Sequence, residues 1–330
     1  MNHLLCFGFG FSARALAARL SPHQWQLTGT STSEAGCAAI RAAGHAAVRF
    51  DGAAPSANVA AALATVTHVI VSAPPGEAGD PVLRYHRDDL RTAPQLKWIG
   101  YLSTVGVYGD HGGAWVDEAT PAKPGIPRSL RRLEAEQAWL ALPGGTETII
   151  GVFRLSGIYG PGRSAIDNLR DGSARRIVKP GQVFNRIHVD DIALVLDAAM
   201  ARQPATAIYN VTDDEPAPPQ DVVAFAAGLL GLPAPPELPF ATAALSPMAR
   251  SFYSESKRVR NDRIKQELGV SLLHPTYREG MAAIAGAGCG LRLAFVDADA
   301  HKRACDHLSG QGRGVRASRG HVGPGGAGRL

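Results

Sequence analysis

A glycine turn near the start of the chain constrains the fold more than any other feature of the sequence. Leu4-Leu5-Cys6-Phe7 reads as a buried strand, and Ala13, Leu16, Ala17 and Leu20 recur at the spacing of one helix face. Between them stands Gly8-Phe9-Gly10-Phe11-Ser12-Ala13, a G-x-G-x-x-A sequence. In a strand–turn–helix unit each small residue has a physical task. Gly8 permits the tight turn, Gly10 lets backbone N–H groups approach a pyrophosphate, and Ala13 lets the helix pack closely on the strand. The positive end of the helix then attracts negative charge. Gly8, Gly10, Phe11, Ser12 and Ala13 are therefore expected to bind a dinucleotide, the other reading being a purely structural turn.

The units that follow keep the same alternation. Segments 25–30, 47–50, 69–71, 98–103 and 148–155 read as strands, and 38–43, 59–64, 81–92 and 128–140 as the helices between them. This pace predicts an α/β fold with a doubly wound parallel sheet, its strands ending on one side where ligands bind. After Leu155 the pattern changes. Turns fall at Gly160-Pro161-Gly162 and Pro180-Gly181, helices over 190–200 and 221–230, a short strand over 207–211, and a proline-rich connector over 232–239. The expected division places residues 1–155 and 186–212 in the dinucleotide-binding domain. Residues 156–185 and 213–287 form a small interleaved C-terminal α/β substrate domain. Residues 288–330, with ten of the 37 glycines, read as a disordered tail.

Composition narrows the partners. The 45% hydrophobic and 19% charged residues are ordinary for a soluble globular chain of 330 residues. No run of about 18 apolar residues occurs, so no membrane-spanning helix is expected. Met1-Asn2-His3 carries no basic side chain ahead of the first apolar stretch, so no secretory signal is expected. Cys6, Cys37, Cys289 and Cys305 show no C-x-x-C spacing and fit reduced thiols in a cytoplasm. The net charge of +5 is not a binding face, because seven Lys/Arg against three Asp/Glu lie in 288–330. Nucleic acid is accordingly not an expected partner.

The second strand ends in Thr30-Ser31-Thr32-Ser33, with no acid until Glu34. A carboxylate there would bond the ribose 2′-hydroxyl of NAD, whereas hydroxyls tolerate a 2′-phosphate. Thr30 and Ser31 are candidate cofactor residues, and NADP is favoured over NAD, although no arginine follows in sequence to grip the phosphate. Asp51, past the third strand, either faces the adenine edge or caps its own loop.

Tyr101–Asp110 (YLSTVGVYGD), Arg154–Arg163 (RLSGIYGPGR) and Arg186–Ile192 (RIHVDDI) follow the glycine turn in order. Together the four motifs resemble the extended short-chain dehydrogenase/reductase superfamily, of the nucleotide-sugar epimerase/dehydratase type, over roughly residues 3–285. The resemblance implies a Rossmann domain with a smaller C-terminal substrate domain, and adds Ala73 and Pro74 to the cofactor set. It puts Thr104, four residues before the VYG tyrosine, at the catalytic Ser/Thr. The other reading of Thr104 is a strand-end hydroxyl bonding its own backbone.

The chain departs from that family where a Tyr-x-x-x-Lys pair is expected. Alignment on Glu136 puts Arg128 at the tyrosine and Arg132 at the lysine. A guanidinium keeps its proton at any physiological pH, so Arg128 is no ordinary general acid. Arg132 could still hold ribose hydroxyls or a phosphate. Tyr108 is the nearest other phenol, though an aromatic packed under the loop is the simpler reading. His188-x-Asp190-Asp191 suggests a metal set, but Asp190 reads as a helix N-cap and no further ligand is spaced to join it, so no metal is expected. Arg154, Arg163 and Arg186 either line a pocket for an anion or pair with Asp190, Asp191 or Asp213. The reading that results is an NAD(P)-dependent oxidoreductase or epimerase-like enzyme for a carbonyl or alcohol, with an atypical site. Its partners would be a small-molecule substrate, for which an anion is suited, and a second copy of the chain in a homodimer. The rival is a non-catalytic dinucleotide-binding sensor or scaffold, which Arg128 favours.

Overall fold

The first half of the chain alternates strand and helix in the order β1 (Asn2–Phe7), α1 (Phe11–Arg19), β2 (Trp25–Ser31), α2 (Glu34–Ala42), β3 (Ala46–Arg49), α3 (Ala57–Leu63), β4 (His68–Val71), α4 (Pro81–Thr92) and β5 (Trp98–Thr104). It continues through β6 (Trp115–Val116), α5 (Pro127–Leu140), β7 (Ile149–Leu155), β8 (Gly157–Tyr159), α6 (Ala165–Arg170), β9 (Arg176–Val178) and β10 (Arg186–His188). The remainder is α7 (Val189–Arg202), β11 (Ala207–Val211), α8 (Pro219–Leu229), β12 (Glu237–Pro239), α9 (Pro247–Phe252), β13 (Arg258–Val259), α10 (Asp262–Leu268) and α11 (Tyr277–Gly290). The computed structural model describes residues 1–142 and 148–290; of the tail expected over 288–330, residues 288–290 belong to the end of α11 and the rest lies outside the described residues. Met1–Ala285 forms one compact unit.

Seven parallel strands make the central sheet, in the order β11-β7-β5-β4-β1-β2-β3. This is a doubly wound Rossmann sheet, because the strand order reverses beside β1. Strands covered on both faces need near-continuous apolar runs, and His68-Val69-Ile70-Val71 of β4 is buried at every position. On one face Leu16, Ile192, Val195 and Leu196 join α1 and α7 to the sheet. On the other, Val59, Leu83, Ala135 and Trp139 bring α3, α4 and α5 against it. Helix starts follow their caps: Ser33, Ser56 and Asp80 accept backbone N–H bonds at the heads of α2, α3 and α4. A smaller cluster of Tyr159, Ile166, Val222, Tyr277 and Met281 packs α6, α8 and α11 together.

Two local readings change. The N-cap of α7 is His188, whose Nδ1 accepts from the N–H of Asp190 at 3.2 Å, so Asp190 lies inside the helix. The proline-rich connector contains β12, which pairs in parallel with β9. Both strands are three residues long, too short to show a period. Among the described residues, no helix is long and apolar enough to cross a membrane.

Candidate active site

The sheet reverses order where β1 ends between β2 and β4, and the crevice there opens onto a cavity of about 1050 Å³. Gly10, Phe11, Ser12 and Ala13 form one wall. Gly8 sits at φ +87°, a conformation open to glycine, and a Cβ there would meet Ser72 Oγ at 2.6 Å. Its N–H donates to Thr30 Oγ1 at 2.9 Å, while Ser72 Oγ donates to the Gly8 carbonyl at 3.0 Å. Gly10 is different. A Cβ there meets no protein atom within 4 Å, and Gly10 is the N-cap of α1, which has no side chain capping it. An open space against uncapped helix N–H groups is the cradle a pyrophosphate needs, so these residues fit a dinucleotide.

The other expected cofactor residues divide. Thr30 is buried and commits its hydroxyl to Gly8, behind the turn. Ser31 lies at the end of β2, directly paired in register with Arg49 of β3. That arginine, which no sequence neighbour suggested, lies beside the position expected to meet a 2′-phosphate. Asp51 is exposed and accepts the N–H of Ala53 at 3.0 Å, the loop-capping alternative. Ala73 and Pro74 follow β4, and the Ala73 N–H donates to the Phe7 carbonyl at 3.1 Å.

Thr104 ends β5 and lines the cavity. Its Oγ1 accepts from the Gly106 N–H at 3.1 Å, capping the short 3-10 turn Val105–Tyr108. The hydroxyl proton is left to donate elsewhere. Arg128 and Arg132 line the same cavity from α5. Arg128 is exposed, its guanidinium lying 4.8 Å from the ring centroid of Phe252. Arg132 donates to the Leu102 carbonyl at 2.7 Å and to Tyr101 Oη at 3.3 Å.

Tyr108 does not reach the cavity. It is fully buried, its hydroxyl donates to Asn210 Oδ1 at 2.8 Å, and burial pushes its pKa up. The phenol packs under the loop and is no proton donor to a ligand. Arg154 also leaves the substrate set: its guanidinium pairs with Glu136 at 2.8 Å, not with Asp190, Asp191 or Asp213. Asp191 instead accepts backbone N–H bonds from Leu273 and His274. Arg163 and Arg186 do line the cavity, Arg163 over the ring of Phe11 at 5.9 Å. Arg186 donates to the carbonyls of Phe184 and Ala217. Beside it Asp213 is buried, and burial pushes its carboxyl up to about 8.

The fold also supplies a neighbour that the linear spacing around His188 could not show. His274 packs against His188 with ring centroids 4.0 Å apart and ring planes tilted by 55°. With Asp190, the two histidines bring one ligand-type atom each within 4.8 Å of one another. Residues the sequence reading missed are Arg49, Ser129, Asn185, Glu255 and Lys257. The last four line the cavity; Ser129 and Asn185 sit within or beside motif segments without being motif positions, and Glu255 and Lys257 come from a loop with no motif spacing. Among the described residues that line it, Arg128, Arg132, Arg163, Arg186 and Lys257 are set against a single carboxylate, Glu255. The far walls are apolar, with Ile177, Val183, Phe184, Leu245, Met248 and Phe252.

No protein-family model matches the chain. A solved structure from Silicibacter pomeroyi, a functionally unknown conserved protein, is 52% identical across 87% of this chain and 99% of that one, with a TM-score of 0.79. The human epimerase family protein SDR39U1, solved with NADPH, shares the fold at a TM-score of 0.68 and 21% identity, over 87% of this chain and 99% of its own. The 3-diazoavenalumate denitrifying reductase of a Streptomyces species is 32% identical over 181 residues. That match spans 51% of this chain and only 55% of the reductase. The fold is thus that of the extended short-chain dehydrogenase/reductases. The chain shares the fold of solved NAD-dependent epimerases and dehydratases.

Proposed function

We propose that this chain is an NADP-preferring oxidoreductase acting on the carbonyl or alcohol of a small, largely apolar anion. One observation carries the reading: a single cavity joins the open Gly10 cradle to a wall where five cationic side chains outnumber one carboxylate. In a cleft with low-dielectric walls, that imbalance draws anions and raises their local concentration. Gly8, Gly10, Phe11, Ser12 and Ala13 would hold the dinucleotide pyrophosphate, and Ser31 with Arg49 its 2′-phosphate. A nicotinamide bound there supplies hydride transfer to or from a substrate carbon. The Thr104 hydroxyl orients the substrate oxygen. The cations of α5 and of segment 156–186 hold the anionic group, and the apolar walls accept the body of the molecule. In this proposal residues 1–155 and 186–212 serve the cofactor, while 156–185 and 213–287 form most of the substrate walls. The NADPH of the human relative and the reductase activity in the name of the Streptomyces protein support the same reading. Cys6 and Cys37 are buried and free, which fits a reducing cytoplasm.

Arg128 in place of a phenol favours the second reading, a dinucleotide-binding sensor without turnover. Calorimetric titration separates the cofactor question from the chemistry. Wild type is expected to bind NADPH more tightly than NADH. Gly10→Val is expected to lose both while circular dichroism stays native, since the added side chain meets no protein atom within 4 Å at its Cβ. Arg49→Ala is expected to lose the preference by roughly tenfold, the size of one exposed charged hydrogen bond. NADPH oxidation is then followed with phenylglyoxylate and with its methyl ester. Turnover of the acid and not the ester supports the oxidoreductase. Native binding with no turnover of either transfers the conclusion to the sensor.

A further inference from the structure

Lys257 and Glu255 stand between α9 and β13, on the cavity wall that faces α5. Their side chains are 7% and 12% exposed, with Nζ and Oε2 at 2.8 Å. The ammonium also donates to the carbonyl of Gly109 at 2.5 Å. Gly109 closes the same 3-10 turn that Thr104 opens, so Lys257 is tied to the loop carrying the expected substrate-orienting hydroxyl. An ammonium has three N–H groups, and these bonds use two. The third has no partner among the described residues. On the carboxylate, Oε1 is buried and equally without a partner. A charged donor and a charged acceptor are therefore left over side by side, in a place where unmade bonds are costly unless a ligand makes them.

We propose that Lys257 is the proton donor that replaces the missing tyrosine, and that Glu255 positions it and receives the product hydroxyl. The proposal rests on the oxidoreductase reading above. In reduction, hydride from the reduced nicotinamide adds to the carbonyl carbon and the C=O π pair moves to oxygen. That oxygen takes a proton from Lys257 Nζ, forming the O–H bond and leaving a neutral amine that solvent reprotonates. In oxidation the amine takes the hydroxyl proton instead. A carbonyl oxygen can only accept, and meets the free N–H. The alcohol it becomes also donates, and meets Glu255 Oε1. A guanidinium cannot serve this way, because it does not release its proton. The charged groups around Lys257 are Glu255, Asp110, whose carboxyl is held down by the Ser256 N–H and by Lys257 and Lys179, and Lys179 itself, bonded to the Tyr253 carbonyl.

The test uses full-length protein, NADPH and phenylglyoxylate. Lys257→Arg keeps the positive charge and the partners of the pair but cannot give up a proton. Its kcat is expected to fall by about 10²–10⁴-fold, with the NADPH dissociation constant unchanged. Lys257→Ala combined with Glu255→Gln removes the pair without stranding a buried charge, and added ethylammonium is expected to restore part of its kcat. Wild-type kcat in Lys257→Arg overturns the proton-donor assignment and leaves the oxidoreductase reading intact. Loss in the double variant that ethylammonium does not touch, with Lys257→Arg active, assigns the pair to structure and also overturns it. Absence of turnover in the wild type removes the oxidoreductase reading and this proposal together.

Discussion

Among the described residues two buried ion pairs stand out, and they differ in how completely their bonds are made. Arg154 and Glu136, 5% and 1% exposed, join β7 to α5. Glu136 accepts from Arg154 Nε and Nη2 and from Ser103 Oγ, and the Arg154 guanidinium lies over the Tyr108 ring at 4.8 Å. Lys257 and Glu255 have one bond between them and one unmet polar atom on the carboxylate. The first pair is closed on itself and has nothing left to offer a ligand. The second is left open toward a cavity. Similar burial thus serves two ends, and the count of unmade bonds separates them better than exposure does.

The largest effect that tests this contrast is on stability. Glu136→Gln leaves the Arg154 charge buried without a counter-charge, which typically costs about 3–5 kcal/mol. Glu255→Gln can keep a hydrogen bond to Lys257 in a site open to the cavity, and is expected to cost roughly 1 kcal/mol or less. Thermal unfolding by circular dichroism should show a melting-temperature drop for Glu136→Gln several times that for Glu255→Gln. Equal drops would mean that the second pair is as structural as the first.

This contrast also marks what the sequence could reveal. The sheet was legible because its strands are apolar on both faces and its helices have caps and periods. Gly8 to Ala13 was legible because glycine spacing is dictated by backbone approach, a local matter. Glu136 was placed by its spacing from Arg132, but its partner Arg154 comes from another strand, and pairing across a fold leaves no local period. Lys257 and Glu255 were invisible for the same reason. They sit in a loop, and only the fold brings them to Gly109. Arg49 was hidden by register: it is 18 positions from Ser31 in sequence and beside it in the sheet. The short strands β8, β9, β10, β12 and β13 have two or three residues each, below the length at which alternation is readable.

A smaller effect extends the same reasoning to a neutral ring. His188 caps α7 through Nδ1, while its buried Nε2 has no partner among the described residues. Burial, then electrostatic repulsion from His274 beside it, lowers its pKa to about 4. The folded state therefore holds it neutral, while the unfolded chain takes up a proton near pH 6.5. Between those values the unfolded state binds more protons, so this contribution is complete above pH 6.5 and is lost as pH falls toward 4. His68, also lowered to about 4 by burial, acts in the same direction, whereas Asp213, raised to about 8 by burial, acts against them. His188→Asn keeps an oxygen to cap the helix and removes the titration. The fall in melting temperature between pH 7 and pH 5 should be smaller in His188→Asn than in wild type. An unchanged difference would show that the ring titrates alike in both states.

The smallest effect concerns a third ion pair, this one at the surface. Arg19 Nε and Asp197 Oδ2 join α1 to α7 at 2.8 Å, but the side chains are 36% and 33% exposed. Water already solvates both charges, and ordering two long side chains offsets much of the attraction, so such pairs contribute about 0–1 kcal/mol. The helices are held instead by Leu16 against Ile192, Val195 and Leu196, all fully or almost fully buried. Arg19→Ala should leave the melting temperature within about 2 °C of wild type, and added salt should shrink even that difference. Leu16→Ala, which opens a cavity between the same helices, should cost about 2–5 kcal/mol. If Arg19→Ala proved as costly as Leu16→Ala, charge and not apolar packing would hold α7 on α1. Exposure would then have to re-enter the comparison alongside the number of bonds left unmade.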